Sequence, residues 1–166
     1  MITFLRIIQL LYPIALILVP VIFHKRRFRY PMAFYRSMAC SPATRKLYMV
    51  ALSVAVLLFN FTFTRTDGPG LWLLPGFLYG LLLLRYRFTS AMLGWLHDDR
   101  MLDGLAFALI LFTMTEPRLY PLSVSLALTF VAADFYPSRR ILRMAQNPEE
   151  CPDFQWTEKE IFESYY

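Results

Sequence analysis

The chain has few charged residues and few cysteines for its length. Of its 166 residues only 17% are Asp, Glu, Lys or Arg, whereas 57% are hydrophobic. A water-soluble domain of this size needs considerably more polar surface. The two cysteines, Cys40 and Cys151, are predicted to be reduced and unpaired. The scarcity of charge therefore argues against an ordinary soluble domain and favours an integral membrane protein.

Motifs of several enzyme classes and of nucleic-acid binding are also missing. The sequence contains no nucleophile elbow, no phosphate-binding glycine loop and no zinc-ligand spacing. The net charge of +5 comes from basic residues that cluster where apolar blocks end. This is how positive charge marks the orientation of a membrane protein. We therefore predict no cofactor, no dedicated metal centre and no nucleic-acid partner.

Long apolar blocks dominate the sequence, and each is a candidate membrane span because about 20 helical residues cross the hydrocarbon of a bilayer. The predicted fold class is an all-α polytopic membrane protein with about five transmembrane helices, an interfacial amphipathic helix before the fourth, and a short cytoplasmic tail. The spans are predicted at about 4–23, 47–63, 69–86, 101–115 and 119–136, which form a bundle over 1–136. Whether residues 71–84 cross completely stays open, because that block is short.

Basic residues are concentrated in the connections on one side of these five spans. They occur mainly from His24 to Lys46, from Arg85 to Arg100 and in the tail over 137–166, whereas the opposite side holds single arginines. The positive-inside rule therefore predicts a bacterial-type inner membrane protein with its amino terminus outside and its carboxyl terminus in the cytoplasm. A four-span arrangement would nearly remove this asymmetry, so five spans are preferred.

A basic cluster follows the first span directly and is predicted to contact lipid headgroups. It consists of Lys25, Arg26, Arg27 and Arg29. Basic side chains at this depth reach anionic lipid phosphate, which contributes about 1 kcal/mol for each charge. A docking site for an acidic partner protein is the alternative.

The stretch before the fourth span has the pattern of an amphipathic helix. Phe88, Met92, Trp95 and Leu96 recur at helical spacing and share one face. Such a face, placed between two membrane spans, predicts a helix that lies in the membrane interface with these side chains towards the lipid.

Acidic residues and a histidine follow that helix. His97, Asp98, Asp99 and Asp103 lie close together in sequence, and Asp134 is expected at the same depth. Clustered carboxylates with a histidine hold divalent metals in some proteins and relay protons in others. The preferred interpretation is simpler: the first two aspartates cap the fourth helix and pair with the next arginine or with the first basic connection.

Small residues at four-residue spacing indicate close helix packing. Gly76 and Gly80 form one such pair, and Ala51 and Ala55 form another. These faces favour either a tight internal bundle or contact with partner helices. Asn60, near the outer end of the second span, is expected to make an interhelical hydrogen bond.

The tail is basic at first and then acidic and aromatic. Its aromatic residues Phe154, Trp156, Phe162 and Tyr165 are predicted to anchor a partner protein. A solvated, disordered end is the alternative.

Three functions are compatible with these features. The preferred one is a small inner-membrane protein that acts by protein–protein contact, as a subunit of a larger complex or as an immunity or exclusion protein. Its predicted partners are membrane lipids and another membrane protein or a second copy. The alternative is an inner-leaflet enzyme that uses His97, Asp98, Asp99 and Asp103 with a divalent metal on a phosphate-bearing or lipid substrate. A transporter or channel subunit is the third, although the block centres lack charge.

Overall fold

The computed structural model describes residues 29–67 and 74–146, and every regular element in these two ranges is helical. The helices are α1 (Arg29–Cys40), α2 (Pro42–Asp67), α3 (Leu74–Leu83), α4 (Tyr86–Asp98), α5 (Arg100–Thr115), α6 (Tyr120–Asp134) and α7 (Arg139–Gln146). A short 3-10 turn at Pro117–Leu119 connects α5 to α6. The all-α class is confirmed for this part of the chain. The first predicted span, 4–23, lies outside the described residues.

One described helix, α2, is both long enough and apolar enough to cross a membrane. Its candidate span is Pro42–Phe61, and only 28% of its apolar window is buried inside the bundle. The core helix of a soluble protein would be mostly buried. α3 and α6 are apolar, but their described parts contain 10 and 15 residues, against the roughly 20 needed for a full crossing. Of the five or so predicted spans, the structure therefore supports one within the described residues, the span that corresponds to α2.

The third predicted span, 69–86, differs most from the structure. The described helix in this region is α3, which ends at Leu83, and the chain turns there into α4. The turn is closed by Thr89, whose hydroxyl donates to the Leu83 carbonyl at 2.7 Å. The interfacial helix predicted before the fourth span corresponds to α4.

α6 lies at the centre of the bundle and contacts α2, α3, α4 and α5. Its buried residues are mostly small or hydroxylated: Pro121, Ser123, Val124, Ser125, Ala127, Thr129, Ala132 and Ala133. Small side chains allow neighbouring helices to approach closely. α2 runs antiparallel to α6, because Phe59 lies beside Tyr120 and the Tyr48 hydroxyl donates to the Ala132 carbonyl at 2.9 Å.

The helices α1 and α7 lie in segments that the sequence pattern placed in a connection and in the tail. They pack on each other through Tyr35, Ala39 and Ile141, which are all buried. Phe34 and Phe135 cover the edge of this small cluster. The first basic connection and the basic part of the tail therefore form one folded unit at the same end of the bundle.

A buried arginine closes the corner between α1 and α2. Arg45 donates from Nη1 to the carbonyls of Met38 and Ala39, at 2.9 and 2.8 Å. These are among the last carbonyls of α1, where a positive charge is also favoured by the helix dipole. On the other side of the corner, Ser41 Oγ accepts a hydrogen bond from the Thr44 N–H at 3.3 Å and caps α2.

Candidate functional site

Polar side chains lie inside the bundle. The buried polar and charged residues are Arg45, Ser53, Asn60, Thr89, Thr113, Ser123, Ser125, Thr129 and Ser138. Several hydroxyls donate to a carbonyl one turn earlier in the same helix, as Ser53 does to Met49 and Thr129 does to Ser125, both at 2.9 Å. Bonds of this kind satisfy a hydroxyl without water.

Asn60 joins α2 to α6 in the middle of this interior. Its side-chain nitrogen donates to the Val56 carbonyl at 2.8 Å and to Ser125 Oγ at 2.9 Å. The interhelical hydrogen bond predicted for Asn60 is thus confirmed. Gly76 of α3 lies directly against the same amide, and a Cβ built on Gly76 would overlap Asn60 Oδ1. α3 reaches this position because residue 76 has no side chain.

The second glycine of α3 has a similar position. A Cβ built on Gly80 would lie 2.7 Å from Cδ2 of Leu57 and 3.3 Å from Cγ1 of Val56. Gly76 and Gly80 are both buried, so this face of α3 lies on α2. The other pair of small residues, at positions 51 and 55 of α2, is exposed.

Large apolar side chains cover the outer face of the bundle. On α2 they form a stripe that consists of Leu47, Val50, Val54, Leu58 and Phe61. These residues recur every three or four positions, so they lie along one side of the helix. On α5, Met101 and Phe112 are 73% and 69% exposed. A continuous apolar surface of this kind is unfavourable in water and indicates contact with lipid or with other helices.

One end of the bundle is strongly basic. Four helix junctions meet at this end: α1–α2, α3–α4, α4–α5 and α6–α7. Two contacts join helices there: His97 Nδ1 lies 3.1 Å from the Ala133 carbonyl, and Ser90 Oγ lies 2.9 Å from the Tyr136 hydroxyl. The basic residues here are Arg36, Arg45, Lys46, Arg85, Arg87, Arg100, Arg139, Arg140 and Arg143. We call this end, from here on, the basic end. Arg118 lies at the opposite end, in the 3-10 turn.

The candidate catalytic aspartates have structural partners. Asp99 caps α5, because its Oδ1 accepts a hydrogen bond from the Met101 N–H at 2.9 Å. This confirms the capping role preferred for Asp99. Asp98 accepts a hydrogen bond from the Arg139 N–H at 3.1 Å and forms an ion pair with Arg139 Nε at 3.6 Å. The partner of Asp98 therefore comes from the tail, where the sequence had suggested Arg100 or the first basic connection.

His97 and Asp103 lie near each other at the basic end. Asp103 is within electrostatic range of His97 and of Asp134, so these three groups from α4, α5 and α6 share one end of the bundle. Among the described residues, however, no group of three His, Cys, Asp or Glu side chains is placed to hold a metal ion. The described residues therefore do not form the metal cluster of the alternative prediction.

An apolar groove of about 290 Å³ opens between α3, α4, α5 and α6. It is lined by Tyr79, Met92, Trp95, Leu96, Leu102, Leu105, Ala106, Leu109, Ile110, Leu126, Thr129 and Phe130. The four residues predicted to face the lipid are therefore not equivalent. Met92 and Leu96 pack against the core, whereas Phe88 and Trp95 are exposed. The guanidinium of Arg139 stacks over Trp95, 5.5 Å from the ring centroid.

Most of the other predicted sites lie outside the described residues. Lys25, Arg26 and Arg27 precede α1, and Arg29 is its first residue. The aromatic anchors Phe154, Trp156, Phe162 and Tyr165 follow α7, as does Cys151. Cys40, at the end of α1, is a free and exposed thiol.

Two arginines at the basic end have specific roles that the sequence pattern did not single out. Arg45 and Arg139 entered the sequence reasoning only as charges that set orientation. The Ser-Pro sequence at positions 41 and 42 could have indicated the role of Arg45. It ends α1 and starts α2, so the first turn of α2 lies beside the free carbonyls at the end of α1. The contacts of Arg139 with Asp98 and Trp95 span 41 positions or more, and no local pattern predicts them.

Comparison of the chain with known protein families, with curated proteins and with solved structures finds no match.

Proposed function

We propose that this protein is a small integral membrane protein that acts by contact with another membrane protein or with a second copy of itself. Its biological role would be that of a subunit of a larger membrane complex, or of an immunity or exclusion protein. The observation that carries this proposal is the exterior of the bundle: leucines, valines and phenylalanines are exposed along several helices, while hydroxyls, an amide and an arginine are buried beside the apolar core. A soluble protein exposes large apolar side chains singly, whereas contiguous apolar surface is typical of contact with lipid or with another protein.

The buried polar groups and the close contacts at small residues support a membrane location for an energetic reason. Inside lipid, helices gain little from burying apolar side chains against one another, because hydrocarbon is equally apolar. Association then depends on close packing at small residues and on interhelical hydrogen bonds. The contacts of Gly76 and Gly80 with α2 and the bond from Asn60 to Ser125 are of these two kinds.

The basic end supports the proposed orientation. Basic side chains from four junctions gather there, so the charge asymmetry inferred from the sequence corresponds to one end of the folded bundle. We propose that this end faces the cytoplasm, where anionic lipids and the positive-inside rule favour it.

The stripe on α2 is the proposed contact surface. Ala51 and Ala55 are exposed among the larger side chains of that stripe. Small residues four positions apart allow a partner helix to approach closely, and α2 is the described helix with the length to present them along a full span.

The test is purification of the tagged full-length protein from its native membrane in a mild detergent, with identification and quantification of what accompanies it. We expect a partner in fixed ratio, either another membrane protein or a second copy. The double variant Ala51→Phe, Ala55→Phe should lose most of that partner. Ala108→Phe is the matched control, because Ala108 is an exposed alanine on α5.

A monomer without a stoichiometric partner would contradict the proposal. Equal partner recovery in the α2 double variant and in the Ala108→Phe control would exclude the α2 stripe as the contact surface.

A further inference from the structure

We propose that the groove between α3, α4, α5 and α6 binds one acyl chain of an anionic phospholipid, and that Arg139 binds the phosphate of the same lipid. This inference rests on the proposed membrane location, since it requires the groove to open into a bilayer. It adds a specific lipid site to a protein proposed to work by helix contact.

The lining of the groove matches an acyl chain. The side chains that form it are almost entirely aliphatic or aromatic. Leu102, Leu105 and Leu109 line the groove and are also exposed on the outer face of α5, so the groove is open towards the surroundings of the bundle. A lipid can therefore enter sideways, without any opening of the helices.

A positive charge is fixed at the edge of the groove, where Trp95 lies. The side chain of Arg139 passes beside Gly94 and stacks over Trp95, and its Nε edge is paired with Asp98 at 3.6 Å. Arg139 remains 42% exposed. A guanidinium has five N–H donors in a planar fork, so the pairing at Nε leaves donors for a phosphate.

Asp98 holds Arg139 in this position. It also accepts the backbone N–H of Arg139 at 3.1 Å, which anchors the start of α7 against the end of α4. Arg139 lies at the end of the groove that, in the proposed orientation, faces the anionic headgroups. Its charge distinguishes this site from general contact with lipid. The occupant that satisfies both features has an apolar chain and an anionic head, as phosphatidylglycerol does.

The test uses Trp95 as a reporter, in the full-length protein reconstituted into phosphatidylcholine vesicles. The other two tryptophans, Trp72 and Trp156, are replaced by Phe. Brominated phosphatidylglycerol and brominated phosphatidylcholine quench tryptophan at short range and are titrated separately. We expect phosphatidylglycerol to reach half-maximal quenching at about a fivefold lower mole fraction, the preference that one arginine contributes near a membrane surface.

Two pairs of variants locate the site. Arg139→Gln should remove the preference for phosphatidylglycerol, whereas Arg140→Gln, the neighbouring exposed arginine on α7, should keep it. Ala106→Phe fills the groove and should reduce quenching by both lipids, whereas Ala108→Phe, on the exposed side of the same helix, should not.

Equal quenching by the two lipids in the wild-type protein would overturn the lipid site, and so would an unchanged preference in Arg139→Gln. The wild-type comparison holds even if a variant fails to fold. If instead the protein does not float with the vesicles at all, the proposed membrane location fails, which is a separate outcome.

Discussion

Both faces of α2 are largely apolar, unlike the two faces of a helix on the surface of a soluble protein. Its inner face buries Met49, Leu52 and Val56. The face towards α6 and α3 contains Ser53 and Asn60, which are completely buried. The opposite face presents a continuous stripe of leucine, valine and phenylalanine, in which Leu47 is 70% exposed. Apolar surface is therefore found on both sides of the helix, and what distinguishes the inner side is its polar groups and close contacts.

This difference shows which interactions specify the arrangement of the helices. If the surroundings are hydrocarbon, apolar burial does not distinguish the inner face from the outer one. The register of α2 against its neighbours is then fixed by individual contacts: the Asn60 amide on Ser125, the two glycines of α3 and the guanidinium of Arg45. Substitutions inside should cost much more than substitutions outside, and the first two of three tests compare them directly.

The largest effect is expected at Arg45. Arg45→Met removes two charge-assisted hydrogen bonds and leaves the carbonyls of Met38 and Ala39 without them, which should lower the free energy of unfolding by about 3 kcal/mol. The control is Lys46→Met, since Lys46 is exposed and lies 5.6 Å from the Tyr86 ring centroid; its loss should stay below about 1 kcal/mol. Thermal or denaturant unfolding in detergent measures both. Equal losses would show that the buried guanidinium has no special role.

The next effect is expected at the glycines of α3. Gly76→Ala should cost about 2 kcal/mol, because the new methyl group meets an amide held by two hydrogen bonds. Gly80→Ala should cost about 1 kcal/mol, because the Leu57 methyl group can rotate away.

Gly104 on α5 provides the matched control for these two variants. A Cβ added there meets nothing within 4 Å, so Gly104→Ala should be neutral or stabilise the helix by up to about 1 kcal/mol. A series in which all three glycines respond alike would contradict the close contact between α3 and α2.

The smallest effect is expected for the bond between α2 and α6. A double-mutant cycle with Asn60→Leu and Ser125→Ala isolates the hydrogen bond that joins them at 2.9 Å. The coupling energy should be about 0.6 kcal/mol and no more than about 1.7 kcal/mol, the range seen for polar pairs inside membrane helices. Additive losses, with no coupling, would mean that the bond does not form in detergent.

Much of the fold could be predicted from the sequence because apolar blocks and helix breaks are local features. The helical class follows from the blocks, and the cap formed by Asp99 follows from its position before an apolar run. The interhelical bond of Asn60 was also predictable, since an isolated amide within an apolar block needs a partner.

The helices α1 and α7 could not be predicted in the same way. Their segments are basic and aromatic, and each depends on the other for burial through Tyr35, Ala39 and Ile141. Contacts between positions that are about 100 residues apart leave no periodic pattern in either segment. For the same reason, sequence reasoning paired Asp98 with nearby basic residues and not with Arg139.

The predicted spans also show where hydropathy is insufficient. It marks residues that avoid water but does not show where a helix ends. α3 ends at Leu83, where the Thr89 hydroxyl closes the turn, although the predicted span continues to residue 86. α5 begins at its aspartate cap.

The apolar exterior is tested most directly by spin labels in the reconstituted protein, with Cys40 and Cys151 replaced by Ser. Labels are placed at Leu58→Cys, on the α2 stripe, and at Arg87→Cys, at the basic end; both positions are exposed. Collisions with oxygen, which dissolves in lipid, and with a water-soluble nickel chelate are then measured. A lipid-facing stripe predicts frequent oxygen and rare nickel collisions at position 58, and frequent nickel collisions at position 87. Frequent nickel collisions at both positions would contradict the membrane location.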